Sequence, residues 1–318
     1  MRLRHLGYAC LNTTLGTRSR TVRLANLRTE TVIPVVARNL DDVLASLRWN
    51  VAHGIRFFRI SSDLIPFGPL AAFPFDWAEA FDWKFRLIRG LVKAEGLRVT
   101  SHPGQYTVLN SPRETVVQNS VDELEHQARV LKLIDPRGTM TLHVGGAYGD
   151  KPSAMAAFER NLPRLSDDAR SRLALENDDT TYTLSETVGL AERTGLAVIV
   201  DLFHHRLNPS GATETLIPLL DRAAATWNGR PPKLHLSSHK PGTRTGHADF
   251  LDMDDVQALV DVMAQVGPAD APYDVMLEAK RKELAVLEVR RFLDTGERPA
   301  RPIPMETIAE ADTTVVVA

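Results

Sequence analysis

Leu173-Ala174-Leu175-Glu176-Asn177-Asp178 is an apolar run that breaks into three consecutive polar side chains. Met140-Thr141-Leu142-His143-Val144-Gly145-Gly146 does the same, and so do Leu97-Arg98-Val99-Thr100-Ser101-His102 and Lys233-Leu234-His235-Leu236-Ser237-Ser238-His239. Val198-Ile199-Val200-Asp201 runs into His204-His205, and Val275-Met276-Leu277-Glu278-Ala279-Lys280 ends the same way. Leu6-Gly7-Tyr8-Ala9-Cys10-Leu11-Asn12 and Phe57-Phe58-Arg59-Ile60-Ser61-Ser62 complete a set of eight. Short, nearly continuous apolar runs are the signature of parallel strands buried on both faces. Amphipathic stretches separate them. Residues 39–53 place Leu40, Val43, Leu44, Leu47 and Val51 on one helical face, and Gly54 follows as a stop. Further helices are expected over 78–95, 112–134, 153–162, 183–194, 213–226, 253–266 and 281–294. Eight strand–helix repeats predict an α/β protein, a single (β/α)8 TIM barrel over residues 1–296. A tail over 297–318, rich in Arg and Pro near its start, reads as irregular and partly disordered.

In such a barrel the active site lies at the C-terminal ends of the strands, which is where the polar residues fall. Six of the ten histidines (His102, His143, His204, His205, His235 and His239) sit in or just past a strand end. Glu176, Asp201 and Glu278 join them. Carboxylates gathered in one place repel each other and raise each other's pKa. Divalent cations remove that conflict, so the pattern predicts a metal centre. Mixed imidazole and carboxylate ligands suit Mn, Zn, Fe or Co better than Ca or a pure Mg site. There are more candidate ligands than one ion takes, so two or three ions are expected. Two ions ~3.5–4 Å apart are a common arrangement for phosphate-ester hydrolysis.

Lys233 lies two residues before His235 and so shares its strand face. It reads as a neutral amine, a phosphate contact, an anionic carbamate, or the partner of a carboxylate such as Glu278 or Asp201. Lys280 has the same ion-pair alternative. Gln105-Tyr106 follows the Pro103-Gly104 turn; tyrosine can wedge between bases and glutamine can bond base edges. A tyrosine packed in its own loop is the plainer alternative.

Net charge is −2, from 38 basic and 40 acidic residues, which points neither toward nor away from nucleic acid. Residues 1–40, however, carry seven arginines against one acid, Glu30. Such a segment suits phosphate contacts, or is a solvated basic face. The one cysteine, Cys10, leaves no internal disulfide and reads as core. No apolar run spans a membrane and no signal peptide opens the chain, so a cytoplasmic protein is expected.

Taken in order, the strand-end motifs resemble the UV DNA damage endonuclease family. The resemblance rests on Leu6-Gly7-Tyr8-Ala9, Phe58-Arg59-Ile60-Ser61-Ser62-Asp63-Leu64-Ile65-Pro66-Phe67 and Ser101-His102-Pro103-Gly104-Gln105-Tyr106. It continues through Leu142 to Gly146, Leu175 to Asp178, Asp201-Leu202-Phe203-His204-His205, Lys233 to Ser238, Gly246-His247-Ala248-Asp249 and Met276 to Lys280, covering residues 6–285. It implies a barrel of the xylose-isomerase-like, endonuclease IV-like type with two to three divalent ions, Mn first and Zn, Co or Mg as alternatives. The substrate implied is UV-damaged double-stranded DNA, nicked immediately 5′ to the photoproduct to leave a 3′-hydroxyl and a 5′-phosphate. The ligands implied are His102, His143, Glu176, Asp201, His204, His235, His247 and Glu278. Lys233, Glu176 and Glu278 would be catalytic. Gln105 and Tyr106 would insert at the lesion, and Tyr8 and Asn12 would line the pocket for displaced bases. No obligate protein partner is implied, and a monomer is expected. One position departs from the family pattern: Pro69-Leu70 stands where the family has Ser-His, so one histidine ligand is missing. Two other readings stay open: a sugar isomerase or epimerase on the same barrel type, or a lesion-binding protein without activity, weakened at Leu70.

Overall fold

All eight strands form, and each pairs in parallel with the next in the chain until the eighth closes onto the first. The computed structural model describes residues 3–211, 214–267 and 272–300. The strands are β1 (Leu3–Ala9), β2 (Phe57–Arg59), β3 (Arg98–Ser101), β4 (Thr139–His143), β5 (Leu173–Glu176), β6 (Ala197–Asp201), β7 (Lys233–Leu236) and β8 (Tyr273–Leu277). Residues 301–318 of the expected tail lie outside the described residues.

Helices wrap the barrel and bury their apolar stripes on it. The helix Thr29–Ala52 turns Val32, Val36, Leu40, Val43 and Leu47 inward. It starts well before the expected residue 39 and runs on through Pro34. The stretch expected as one helix over 78–95 is two, Trp77–Ala80 and Asp82–Ala94, parted at Phe81.

Strand ends differ more. β1 runs over Leu3–Ala9 rather than 6–12, because Cys10 adopts φ +73 and turns the chain out of the sheet. Cys10 is therefore a half-buried corner residue rather than strand core. At the N-terminal end of the barrel, buried Asp274 accepts hydrogen bonds from Arg4 Nε (2.8 Å) and Arg98 Nη1 (2.7 Å). Arg98 also lies over the rings of Phe57 and Trp227. This closes one pole with a neutralised ion cluster and leaves the other for chemistry.

Candidate metal centre

Register brings the polar strand ends to one level. His143 on β4 is the direct partner of Glu176 on β5, and Asp201 on β6 of His235 on β7. His102 leaves the end of β3, and Glu278 the end of β8. Glu176 sits in the middle. Its Oε1 lies 2.5 Å from His235 Nδ1, and its Oε2 lies 3.3 Å from His102 Nε2 and 3.5 Å from His143 Nε2. His235 Nδ1 is also 3.4 Å from Glu278 Oε1 and 4.0 Å from Asp201 Oδ2. His247 Nδ1 lies 3.7 Å from Glu278 Oε2. His204 is 3.8 Å from Asp201 Oδ2, and its ring stands 5.7 Å from that of His143 and 6.5 Å from that of His247. All eight residues expected as ligands thus line one cluster.

Backbone and amide groups aim these side chains. His102 Nδ1 meets the Pro103 carbonyl at 3.0 Å and His204 Nδ1 the Asn177 carbonyl at 3.0 Å. Each ring thereby presents Nε2 as its free ligand atom. Asp201 uses Oδ1 to cap the helix Leu202–Leu207 through the His204 amide, 2.8 Å away. Its Oδ2, with Glu176 Oε2, His235 Nε2 and His143 Nδ1, is buried without a hydrogen-bond partner. Orphaned buried acceptors are costly and rare. Two triads of atoms close enough to hold one ion each, His102/His143/Glu176 and Glu176/Asp201/His235, share Glu176. The donor set and its unmet acceptors fit divalent metal.

The electrostatics agree. Burial raises Asp201; His204 and His235 oppose the rise without cancelling it, and the Glu176 and Glu278 carboxylates add to it. Burial also opposes charge on Glu176, yet His235, His143 and His102 hold it well below the usual carboxylate range. His204 loses charge to burial but regains it from Asp201 and Glu176, which lift it to about 9. Imidazolium is compensating for carboxylate charge that divalent ions would otherwise neutralise.

Lys233 lies beneath this layer, fully buried. Its Nζ donates to Thr141 Oγ1 at 2.7 Å, and no carboxylate is within 4 Å of it among the described residues. The ion pair with Glu278 or Asp201 is not formed. Burial, then Arg98 and Arg59, push its pKa well below the usual lysine value. Lys280 likewise makes no ion pair among the described residues.

Arg59, the last residue of β2, pairs with Glu278 Oε1. Burial raises the Glu278 carboxyl, but Arg59 and His235 outweigh it. The strand-end pattern of histidines and carboxylates does not single out Arg59, although it lies two residues after buried Phe57 and hence on the barrel's inner face. His205 and His239 stay outside the cluster; His239 Nε2 meets the Thr243 carbonyl at 2.5 Å.

Beside His102 and His143 opens a cleft of about 800 Å³, walled on one side by the loop after β3. Gly104 to Thr107 form a tight turn closed by the Thr107 N–H to Gly104 carbonyl bond, 2.9 Å. Gln105 and Tyr106 occupy its tip, and Tyr106 is 83% exposed. The tyrosine is not packed into its loop. Tyr8 and Asn12 are different. Both are fully buried. The Tyr8 hydroxyl donates to Asn50 Oδ1 (2.7 Å) and accepts from Asn12 Nδ2 (2.9 Å), while Asn12 Oδ1 accepts from the Leu15 amide (2.9 Å). In this conformation they form a structural brace and expose no surface for displaced bases. Leu70 is 41% exposed on the wall of a neighbouring cavity, not in the cluster.

A sequence model of UV-endonuclease UvdE matches residues 4–303. The chain belongs to the UvdE family. A UV DNA damage endonuclease of Bacillus pumilus is 36% identical over 267 residues, 82% of each chain. The crystal structure of SacUVDE superposes with a TM-score of 0.82 at 32% identity, covering 92% of this chain and 99% of the other. Endonuclease IV from Thermus thermophilus shares the barrel at TM-score 0.60 and 19% identity, covering 91% of this chain and 99% of the other, a likeness of fold. UvdE membership separates this barrel from the sugar isomerases that the fold alone allows. No helix among the described residues is long and apolar enough to cross a membrane.

Proposed function

We propose that this UvdE-family barrel cuts duplex DNA immediately 5′ to UV photoproducts, both cyclobutane pyrimidine dimers and 6-4 photoproducts, leaving a 3′-hydroxyl and a 5′-phosphate. The observation that carries the reading is the adjacency of two features. The carboxylate oxygens Glu176 Oε2 and Asp201 Oδ2, buried without hydrogen-bond partners, converge with imidazole nitrogens at the barrel pole, and an exposed Gln105-Tyr106 tip stands at the same mouth.

His102, His143 and Glu176 would hold one divalent ion, Glu176, Asp201 and His235 a second, and His204, His247 and Glu278 complete the ring. Manganese is the expected metal, with two to three ions per chain. Bound there, such ions supply a nucleophile at neutral pH by lowering the pKa of water, and stabilise charge on the phosphate and leaving oxygen. The protein's own groups do the rest. Glu176 faces both triads and fixes their spacing. Glu278, held ionised by Arg59, keeps its second oxygen toward His247. Lys233, desolvated and short of charge, is either a neutral amine or the site of carbamate formation, and supports the Glu176 layer from below. Gln105 and Tyr106 open the stack at the lesion. The protein is expected to act as a cytoplasmic monomer.

The test is incubation with Mn2+ and a duplex holding one thymine dimer, with fragments sized and end-labelled. A single cut 5′ to the dimer with a ligatable 3′-hydroxyl is expected. No incision by protein shown to carry metal would overturn the reading.

A further inference from the structure

A second, smaller hollow of about 270 Å³ opens on the other side of the mouth, between the loop after β1 and the loop after β8. Its charged lining is wholly basic: Arg18, Lys280 and Lys282, with Thr13 and Thr17 between them. None of the three basic side chains has an acidic partner within 4 Å among the described residues.

The carboxylates nearest in the chain are already engaged. Glu283, next to Lys282, is fully buried and accepts the Thr13 amide (2.8 Å), the Thr14 amide (2.7 Å) and the Thr14 hydroxyl (3.0 Å). It clamps the β1 loop against the helix Lys282–Thr295 and has no free lone pair directed at the lysine. Glu278 is taken by Arg59, and Asp42 by the Arg20 guanidinium and the Arg18 backbone amide. Like-signed groups therefore face each other across the hollow. Burial, with Arg59 and Lys280 nearby, lowers the Lys282 pKa despite Glu278 and Cys10.

Lys282 is also held at φ +50. A non-glycine residue in the left-handed region is uncommon and strained, and such residues cluster where side chains must be aimed. The fold thus holds a half-buried lysine in an unfavourable backbone state among other cations, in a concave site. The arrangement lacks an anion.

We propose that Arg18, Lys280 and Lys282 form an oxyanion subsite that takes a phosphodiester of the bound DNA strand, across the mouth from Gln105-Tyr106. This rests on the nuclease reading for the source of the phosphate. The subsite would grip the backbone on the β1–β8 side while the tip at β3 probes the bases, so that the strand is fixed at two points flanking the metal cluster.

Two measurements test it. In the first, the wild-type chain is acetylated at lysine in millimolar inorganic phosphate or in chloride of equal ionic strength, and modified peptides are counted by mass spectrometry. Phosphate is expected to slow modification of Lys280 and Lys282 several-fold and leave exposed Lys132 unchanged. Equal rates overturn the subsite. In the second, affinity for a dimer-containing duplex is measured against salt for wild type, Arg18→Gln and Lys280→Gln/Lys282→Gln. Each lost phosphate contact should lower the slope of log affinity against log salt by about 1. Wild-type binding with unchanged slopes in both variants overturns it. If wild type ignores irradiated duplex while phosphate still protects the lysines, the subsite stands and the nuclease reading fails.

Discussion

Asn177 brackets Asp201 at both backbone groups. The Asp201 amide donates to Asn177 Oδ1 at 2.9 Å, and Asn177 Nδ2 donates to the Asp201 carbonyl at 3.0 Å. The Asn177 carbonyl then takes His204 Nδ1. One residue touching no expected metal thus holds two expected ligands, Asp201 through its side chain and His204 through its backbone carbonyl. Partners of this kind cost about 10–100-fold in metal affinity when removed. Asn177→Ala is expected to raise the Mn2+ concentration for half-maximal incision by about that factor, while saturating Mn2+ restores most of the rate. The His204 contact to the backbone carbonyl survives in this variant, so an unchanged metal titration would show that Asp201 holds its place without the amide.

Gln105 and Tyr106 sit on the tip of a turn whose only internal tie is backbone to backbone. Replacing both by Ala should leave the barrel and its metal untouched. Stacking a base on an aromatic ring is worth about 1–3 kcal/mol, so incision of dimer-containing duplex should fall by roughly 10- to 100-fold. Metal content, read by elemental analysis, should be unchanged. Loss of metal in the double variant would mean that the turn is structural.

Leu70 places an aliphatic, partly exposed side chain where the family resemblance implies a histidine. Leu70→His adds one imidazole at the rim of the cavity bordered by Asp63 and Glu123. The expected result is either more bound metal per chain or faster incision at limiting Mn2+. No change in both would mean that this chain's cluster is complete without a ligand from the strand-two side.

The opposite pole makes a stability claim. Asp274 is fully buried and neutralised by Arg4 and Arg98. Asp274→Asn keeps the shape and leaves Arg98 as a buried charge without its partner. Breaking a buried pair from one side costs about 3–5 kcal/mol. A fall in urea midpoint with an unchanged slope is expected; a midpoint within error of wild type would mean that Arg98 finds solvent or another acceptor.

The barrel and the cluster were legible because both rest on strand ends. An apolar run that stops at His143, Glu176 or Asp201 carries its secondary structure and its chemistry in the same few residues, and parallel register does the rest. What was illegible depended on backbone angles or long-range pairs. Cys10 at φ +73 ends β1 early, and nothing in Tyr8-Ala9-Cys10-Leu11 announces that. Arg59 reaches Glu278 across 219 positions of chain, a pairing fixed only when β2 and β8 flank β1. Tyr8 and Asn12 carry polar atoms that suit either a base pocket or a buried brace, and the brace seen here depends on Asn50, 42 positions from Tyr8. Lys233 meets a hydroxyl rather than the carboxylate that was one of its open alternatives, because Thr141 rather than Glu278 shares its layer.

His126 supplies a pH dependence away from the cluster. It is buried under Gly68, where an added Cβ would lie 2.1 Å from the imidazole, and it stands edge-on to Trp77 with ring centres 5.1 Å apart. Burial, and to a lesser degree Arg129, push its pKa down to about 4. An unfolded histidine titrates near 6.5. Below about 6.5 the unfolded chain takes up a proton that the folded chain refuses until about 4, so stability falls with falling pH across that window. The loss reaches about 3 kcal/mol at its lower edge, at ~1.4 kcal/mol per unit. His126→Gln removes this titration. Its melting temperature should therefore fall less steeply than that of wild type between pH 6.5 and 4, with the carboxylates common to both cancelling in the comparison. Parallel curves would show that the imidazole is solvated enough to protonate in place.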